Sequence, residues 1–285
     1  MDAADRELFQ LLAPERLTIA VDVGANPIDG DPPYKGLFRA GLCMVVGFEP
    51  QPQALAELNK VKTDSEIYLP HALGDGGRHT LHIARSDGMS SLLEPDPERL
   101  RLLNLFEEFG EVVERMEVDT VRLDDIEGLE DFDFIKLDIQ GGELMVIENG
   151  RDRISNAVAI QIEMSFLPIY KDQPAFGVID TVLRSMGFLP HCFAALKRWP
   201  IAPTIIEDNP RVALNQVLEA DLVYIRDLAR LETLSDDKLK HLALLMHHCY
   251  GSVDVAGRVL LELDRRAGRR SELYDAYLKL VSEDA

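Results

Sequence analysis

Short unbroken apolar runs alternate with stretches of helical periodicity over the first 227 residues. Leu17–Val23 stops at Gly24, as a parallel strand buried on both faces does. Cys43–Phe48 is a second such run, ending at Glu49-Pro50, and Ile67–Leu73 reads as a third, closed by Gly74-Asp75-Gly76-Gly77. Phe134–Ile139 and Ala157–Met164 repeat the pattern, and Phe188–Leu196 and Asp221–Ile225 supply two late strands. Pro32–Ala40, Pro52–Lys60, Glu143–Glu148 and Ala175–Met186 read as intervening helices. Thr80–Ala84 alternates and is expected to extend the sheet, Pro95–Phe109 is expected to be helical, and Val112–Leu123 reads as an alternating strand. Strands alternating with helices imply βαβ units with right-handed crossovers, hence an α/β fold with a mostly parallel sheet.

From about Leu228 the rhythm is helical only. Ser235 is a capping residue, and Asp236 and Asp237 suit the positive end of the helix it opens. Leu239, Leu242, Ala243 and Met246 share one face of that helix. Val253–Leu263 and Ser271–Val281 read as two more amphipathic helices. The expected organisation is a sheet domain over 1–227 and a helical subdomain over 228–285. Three short amphipathic helices cannot bury their apolar faces alone, so they must dock on the sheet domain or on another chain. The tail carries nine Lys+Arg against ten Asp+Glu, so nearly all of the net charge of −20 sits on the first 227 residues. That balance favours a homodimer through the C-terminal helices over docking within the chain.

Charge and composition narrow the partners. With 46% hydrophobic residues in 285, there is ample material for a core. A surface of charge −20 repels phosphate backbones and anionic lipid heads, so neither nucleic acid nor membrane is an expected partner. No run of 18 apolar residues is present to span a bilayer. Met1–Gln10 lacks the apolar centre of a secretion signal. Cys43, Cys192 and Cys249 are widely spaced and odd in number, which fits a reducing, cytoplasmic setting.

In open α/β sheets, ligands bind beyond the carboxyl ends of the strands. Asp22-Val23-Gly24-Ala25-Asn26 stands at such an end, with one glycine rather than the dinucleotide pattern GxGxxG. Glu49 ends the second strand, where its two oxygens match the two hydroxyls of a ribose; an ordinary turn with a solvated carboxylate is the other reading. Gly24 and Glu49 together suggest a nucleoside-bearing cofactor. Lys136 and Asp138 have the same strand parity, just before Gly141-Gly142 and a helix start. A Lys in a buried strand calls for an ion-pair partner.

The blocks DVGAN, GFEPQP and IKLDIQGGE, in that order, resemble the signature of FkbM-type methyltransferases over roughly residues 17–195. The resemblance implies S-adenosyl-L-methionine as cofactor, S-adenosyl-L-homocysteine as its product, and a Rossmann-like methyltransferase fold with a mostly parallel seven-stranded sheet. It implies that Asp22 and Gly24 line the methionine part and that Glu49 binds the ribose, with Asn26, Asp75 and Asp138 as further cofactor-binding residues. The turn Ala72-Leu73-Gly74-Asp75 resembles the adenine-side loop. It also implies O-methylation of a hydroxyl on a sugar, polyketide, other secondary metabolite or glycoconjugate, so the expected partner is a small-molecule or glycan acceptor. The Pro- and Asp-rich loop after Asn26 and Gln140, where Glu is frequent, depart from the pattern.

An alcohol acceptor benefits from a base as the new bond forms. Asp138 is the first candidate, as base or orienter, with His71 and Glu163 next. Asp138, Glu143 and Glu163 offer oxygens for a divalent cation, which is possible but not expected. His247-His248, adjacent on a helix, diverge too far to share a metal. Tyr170 and Trp199 are aromatic candidates for acceptor stacking or for core packing. Two other classes stay open: a nucleotide-binding oxidoreductase, which the missing GxGxxG disfavours, and a non-catalytic methyltransferase-like scaffold with a partner-binding helical tail.

Overall fold

The computed structural model describes residues 3–25 and 30–283. The chain opens with α1 (Ala3–Leu12), β1 (Thr18–Val23), α2 (Lys35–Arg39), β2 (Cys43–Phe48), α3 (Pro52–Val61) and β3 (Glu66–Leu69). Then come β4 (Ala72–Leu73), β5 (Arg78–Ala84), α4 (Pro97–Leu100), α5 (Phe106–Phe109), β6 (Val112–Val121) and β7 (Phe134–Leu137). α6 (Glu143–Glu148), α7 (Arg151–Ile154), β8 (Ala159–Ser165), α8 (Phe176–Ser185), β9 (Phe188–Arg198) and β10 (Val217–Arg226) complete the sheets. α9 (Asp236–Tyr250), α10 (Val253–Arg266) and α11 (Glu272–Glu283) follow.

Seven strands form one sheet in the order β3-β2-β1-β7-β8-β10-β9. The first five are mutually parallel, and β10 runs antiparallel to both β8 and β9. This is the mostly parallel seven-stranded sheet expected. The order reverses between β1 and β7, which opens a crevice at their carboxyl ends.

Three expectations need correction. Ile67–Leu73 is not one strand: Pro70 has no N–H to donate, and the chain leaves the main sheet there. Its second half, β4, pairs with β6, and β5 pairs with β6 too, so Thr80–Ala84 builds a separate three-stranded sheet. Pro95–Phe109 is two short helices, because Leu105 takes φ +70° between them and breaks the helical backbone.

The tail helices are a layer of the main core. Leu239, Leu242, Ala243 and Met246 of α9 pack with Ala20, Val45, Phe134, Ala159 and Val223 on one sheet face. Residues Leu239 and His241–Met246 are all buried, so α9 is covered all round rather than on one stripe. Ser235 Oγ accepts from Lys238 N–H at 3.2 Å, as a cap does. A buried polar knot fastens the helix: Asp133, fully buried, accepts from Arg16 (2.5 Å), Lys238 (2.9 Å) and the Ile19 amide (3.0 Å). The apolar faces that argued for a second copy are thus met within the chain. The opposite sheet face packs on α6, α8 and the 123–132 segment through Val146, Ile147, Ile179, Leu183, Leu123 and Phe132.

Candidate functional site

At the reversal point the strand ends stay joined one residue beyond the ladder. Gly24 and Ala25 donate to Phe48 O at 3.2 Å, and Asp138 N donates to Val23 O at 3.1 Å. Gly24 takes φ +84°, and a Cβ there would lie 2.1 Å from Asp138 O. Only glycine lets the loop after β1 pass this close to the end of β7. One register line crosses the sheet through Tyr68, Gly47, Asp22, Lys136 and Gln161. Gly47 leaves the room that the Tyr68 ring fills, since a Cβ would come within 2.5 Å of it.

Tyr68, Asp22, Lys136 and Gln161 of this line border a cavity of about 550 Å³, within the ~300–1,000 Å³ range of small-molecule sites. Asp22, Gly24, Glu49, His71 and Asp138 all border it, as do Ala72 and Leu73. Five of the expected site residues are therefore brought to one place. Asn26 lies outside the described residues. Asp75 is not in the lining: it is in the turn, accepting from Gly77 N–H and engaging His79, both at 2.8 Å. Glu163 sits beyond the lining and bonds to Gln140 Nε2 at 2.8 Å.

Electrostatics at the floor centre on Lys136. Its ammonium is 3.0 Å from Asp138 Oδ2 and 3.7 Å from Asp22 Oδ1, giving the partner that strand parity required. Burial works against its charge, but Asp22 and Asp138 overcome this and hold it firmly protonated. Asp22 also accepts from Tyr34 O–H at 2.5 Å, while its Oδ1, buried, has no hydrogen-bond partner. Burial pushes the Asp22 carboxyl up despite Lys136 and Tyr34. Glu49 is 3% exposed, and burial raises it too, although the Gln51 amide donates to it at 2.8 Å.

Gln140 organises the other wall. It takes φ +57°, uncommon for a residue with a side chain, and Ser91 Oγ donates to its carbonyl at 2.6 Å. Its Nε2 bridges Asp138 and Glu163 at 3.2 and 2.8 Å. Burial, then the charges of Asp138, Glu219 and Glu143, push Glu163 well above the usual carboxylate range. Glu143 turns away from the cavity to accept from Ile139 and Gly141 amides at 3.0 and 3.1 Å, and burial pushes it up to about 7. Asp138, Glu143 and Glu163 therefore do not converge as a cation site, and no metal-holding cluster of three or more His, Cys, Asp or Glu occurs among the described residues.

Sequence reading missed Tyr34, Gln51, Tyr68, Ser91, Gln161 and Asp221 in this lining. Gln161 carried a signal: a lone amide inside the apolar run AVAIQIEM. Tyr34 carried none, being one residue of a Pro-rich loop. Tyr170 and Trp199 take the packing role: Tyr170 is 3% exposed, and Trp199 meets Phe106 and Phe109 edge-on. His247 meets His248 edge-on and engages Tyr277 O–H at 3.1 Å.

The cavity suits a donor bearing a ribose and a positive sulfonium. Glu49 offers a buried two-oxygen acceptor, Asp22 a buried oxygen with no hydrogen-bond partner, and seven Asp and Glu residues border one space. Among solved structures, the chain resembles magnesium protoporphyrin IX methyltransferase of Synechocystis PCC 6803 with bound SAM. That likeness has 11% identity and a TM-score of 0.37, covering 79% of this chain and 78% of that one. It also resembles human methyltransferase-like protein 13 in complex with SAH, with 12% identity, 87% of each chain covered and a TM-score of 0.38. None of the curated proteins matches the chain. The methyltransferase FkbM domain matches residues 22–190, more than half of the sequence. The chain belongs to the FkbM methyltransferase domain family, whose cofactor is S-adenosylmethionine.

Proposed function

We propose that the protein is an O-methyltransferase and that S-adenosylmethionine occupies the cavity at the carboxyl ends of β1, β2 and β7. The convergence of Gly24, Glu49 and Asp138 on one space at the sheet's reversal point carries this reading. Glu49 would accept from the ribose hydroxyls, Asp22 and Gly24 would border the methionine part, and Ala72–Leu73 the adenine side. Asp75, held in its turn, would act only by shaping that loop. The bound cofactor supplies an electrophilic methyl group on a positive sulfur, which an acidic cavity favours over the neutral product. Aligning an acceptor hydroxyl with that group is the chain's main task.

Asp138 and His71 both border the cavity, which supports each as a candidate to take the acceptor's proton. Asp138 is fixed by Lys136 and Gln140, which suits an orienting base. Glu163, linked to Asp138 through Gln140, would set the charge around that base rather than touch the acceptor. The acceptor class proposed is a small polar molecule or a glycan, in the cytoplasm, with no role for nucleic acid. No described helix is long and apolar enough to cross a membrane.

Labelled S-adenosylmethionine offered with metabolite and glycan extracts tests the reading. Transfer of label to an alkali-stable methyl ether, lost in Asp138→Ala, is the expected result. Label transferred to nitrogen or carbon, or to nothing across the extracts, would overturn O-methylation.

A further inference from the structure

Hydrogen-bond donors are scarce where the methionine end of the cofactor would lie. Seven Asp and Glu border the cavity against two Lys, so a methionine carboxylate enters an acidic space and needs a donor there. Both lysines are committed, Lys136 to Asp22 and Asp138, and Lys35 to Asp31 at 3.6 Å. Tyr34 donates to Asp22, Ser91 to the Gln140 carbonyl, and Gln140 Nε2 to Asp138 and Glu163. Ser90 is turned to the Ala84 amide of the second sheet. Gln51, Thr63, Tyr68 and His71 stand on the β2–β3 side, with the ribose and adenine positions. Among the described side chains, Gln161 is the donor left for the methionine end.

Gln161 is 5% exposed and shares a register line with Asp22 and Lys136. Strand spacing puts the Asp22 and Gln161 backbones about 10 Å apart, within the span of two side chains and one α-amino acid between them. Gln161 Oε1 accepts from Tyr250 O–H at 3.0 Å, and its Nε2 engages nothing among the described residues. Asp22, Asp138 and Asp221 stand on the cavity side, which favours the amide nitrogen there and the oxygen toward Tyr250. Across Lys136, Asp22 Oδ1 is buried without a hydrogen-bond partner, an acceptor suited to the methionine ammonium.

Tyr250 comes from the tail, outside residues 22–190 that the family domain covers. It is the last residue of α9, and its place is fixed from both sides. Gly251 ends the helix at φ +61°, with Ser252 N–H returning to Met246 O at 2.8 Å. Ser252 Oγ and His191 Nε2 then join at 2.7 Å, tying this corner to β9. The Tyr250 ring packs 6.5 Å from that of Phe134. Burial above all keeps its phenol protonated, and so a donor to Gln161.

We propose that Tyr250 is a positioning residue for the cofactor site: it holds Gln161 by its oxygen so that the amide N–H groups receive the methionine carboxylate of S-adenosylmethionine. The assignment rests on the cavity being the cofactor site. It gives the tail helices a part in cofactor binding besides covering the sheet.

Calorimetry of the full chain at pH 8 with S-adenosylhomocysteine, and with its decarboxylated analogue that keeps the ammonium, tests this. Gln161→Leu is expected to weaken S-adenosylhomocysteine by about tenfold or more and the analogue by less than about threefold. Tyr250→Phe is expected to discriminate in the same sense, by roughly three- to tenfold, and to add nothing in the Gln161→Leu background. Gln161→Glu keeps an acceptor for Tyr250 and sets an oxygen against the carboxylate, so it carries the same comparison if the leucine variant does not fold. Equal weakening of both ligands would overturn the proposal, as would S-adenosylhomocysteine affinity within about twofold of wild type in the Gln161 variants. Weakening by Glu49→Gln but by no change at Gln161 or Tyr250 would keep the cavity as the cofactor site and overturn the carboxylate assignment alone. No binding of S-adenosylhomocysteine by the wild type would overturn both.

Discussion

Glu49→Gln separates the cofactor role of this residue from any role in stability. The carboxylate is 3% exposed, burial raises it, and the Gln51 amide is what pulls it back. An ionised group in that position is held at a cost in folding, so removing its charge should leave the melting temperature unchanged or higher. Hydrogen bonds to a charged group contribute about 1.5–3 kcal/mol, and 1.36 kcal/mol is a decade in affinity. Glutamine keeps one acceptor oxygen for Gln51 but offers the ribose an uncharged group. S-adenosylhomocysteine should therefore bind roughly 10- to 150-fold more weakly to the variant, measured by calorimetry at pH 8. The pH dependence has a definite sign. Protonation of Glu49, favoured by burial, removes the anionic acceptor, so wild-type affinity should fall on acidification, and the variant should lack that contribution. Affinity within twofold of wild type at pH 8 would refute the placement of the ribose on Glu49.

Asp133→Asn should cost about 3 kcal/mol in denaturant unfolding, the low end for breaking a buried pair, because Arg16 and Lys238 keep 31% and 18% exposure; a loss under 1 kcal/mol would show that the knot does not fasten α9. Glu143, raised to about 7 from an ordinary value of 4.5, holds its proton in the folded chain after the unfolded chain has lost it. Its contribution to stability therefore falls as pH rises from about 4.5 to about 7, and Glu143→Gln should flatten that part of the stability–pH curve. Ending the chain after Asp227 uncovers Ala20, Val45, Phe134, Ala159 and Val223. That fragment should aggregate or lose near-ultraviolet dichroism, and a folded, cofactor-binding fragment would contradict the shared core.

The sheet and its reactive end were legible because their signals are local. A buried strand announces itself as an apolar run, and Gly24, Glu49 and Asp138 stand where those runs stop. Strand parity was enough to pair Lys136 with Asp138. Long-range choices were not legible. Alternation in Thr80–Ala84 shows a half-buried strand but not which strand it joins, and it joined β6. The apolar stripe of α9 says that one face is covered, whereas its position between the sheet and α10 covers every face. Gln161 and Asp221 reach the cavity by sheet register, which spacing along the chain does not encode. The break at Pro70 was readable in principle, since a proline has no N–H for the ladder.

The central claim is that the cavity beside Gly24, Glu49 and Asp138 is the S-adenosylmethionine site. Calorimetry of the full chain with S-adenosylhomocysteine and, separately, with NAD measures this directly. The account predicts one site for S-adenosylhomocysteine, weakened at least tenfold in both Gly24→Ala and Glu49→Gln, and no heat with NAD. Binding of NAD, or S-adenosylhomocysteine binding that neither substitution alters, would contradict it.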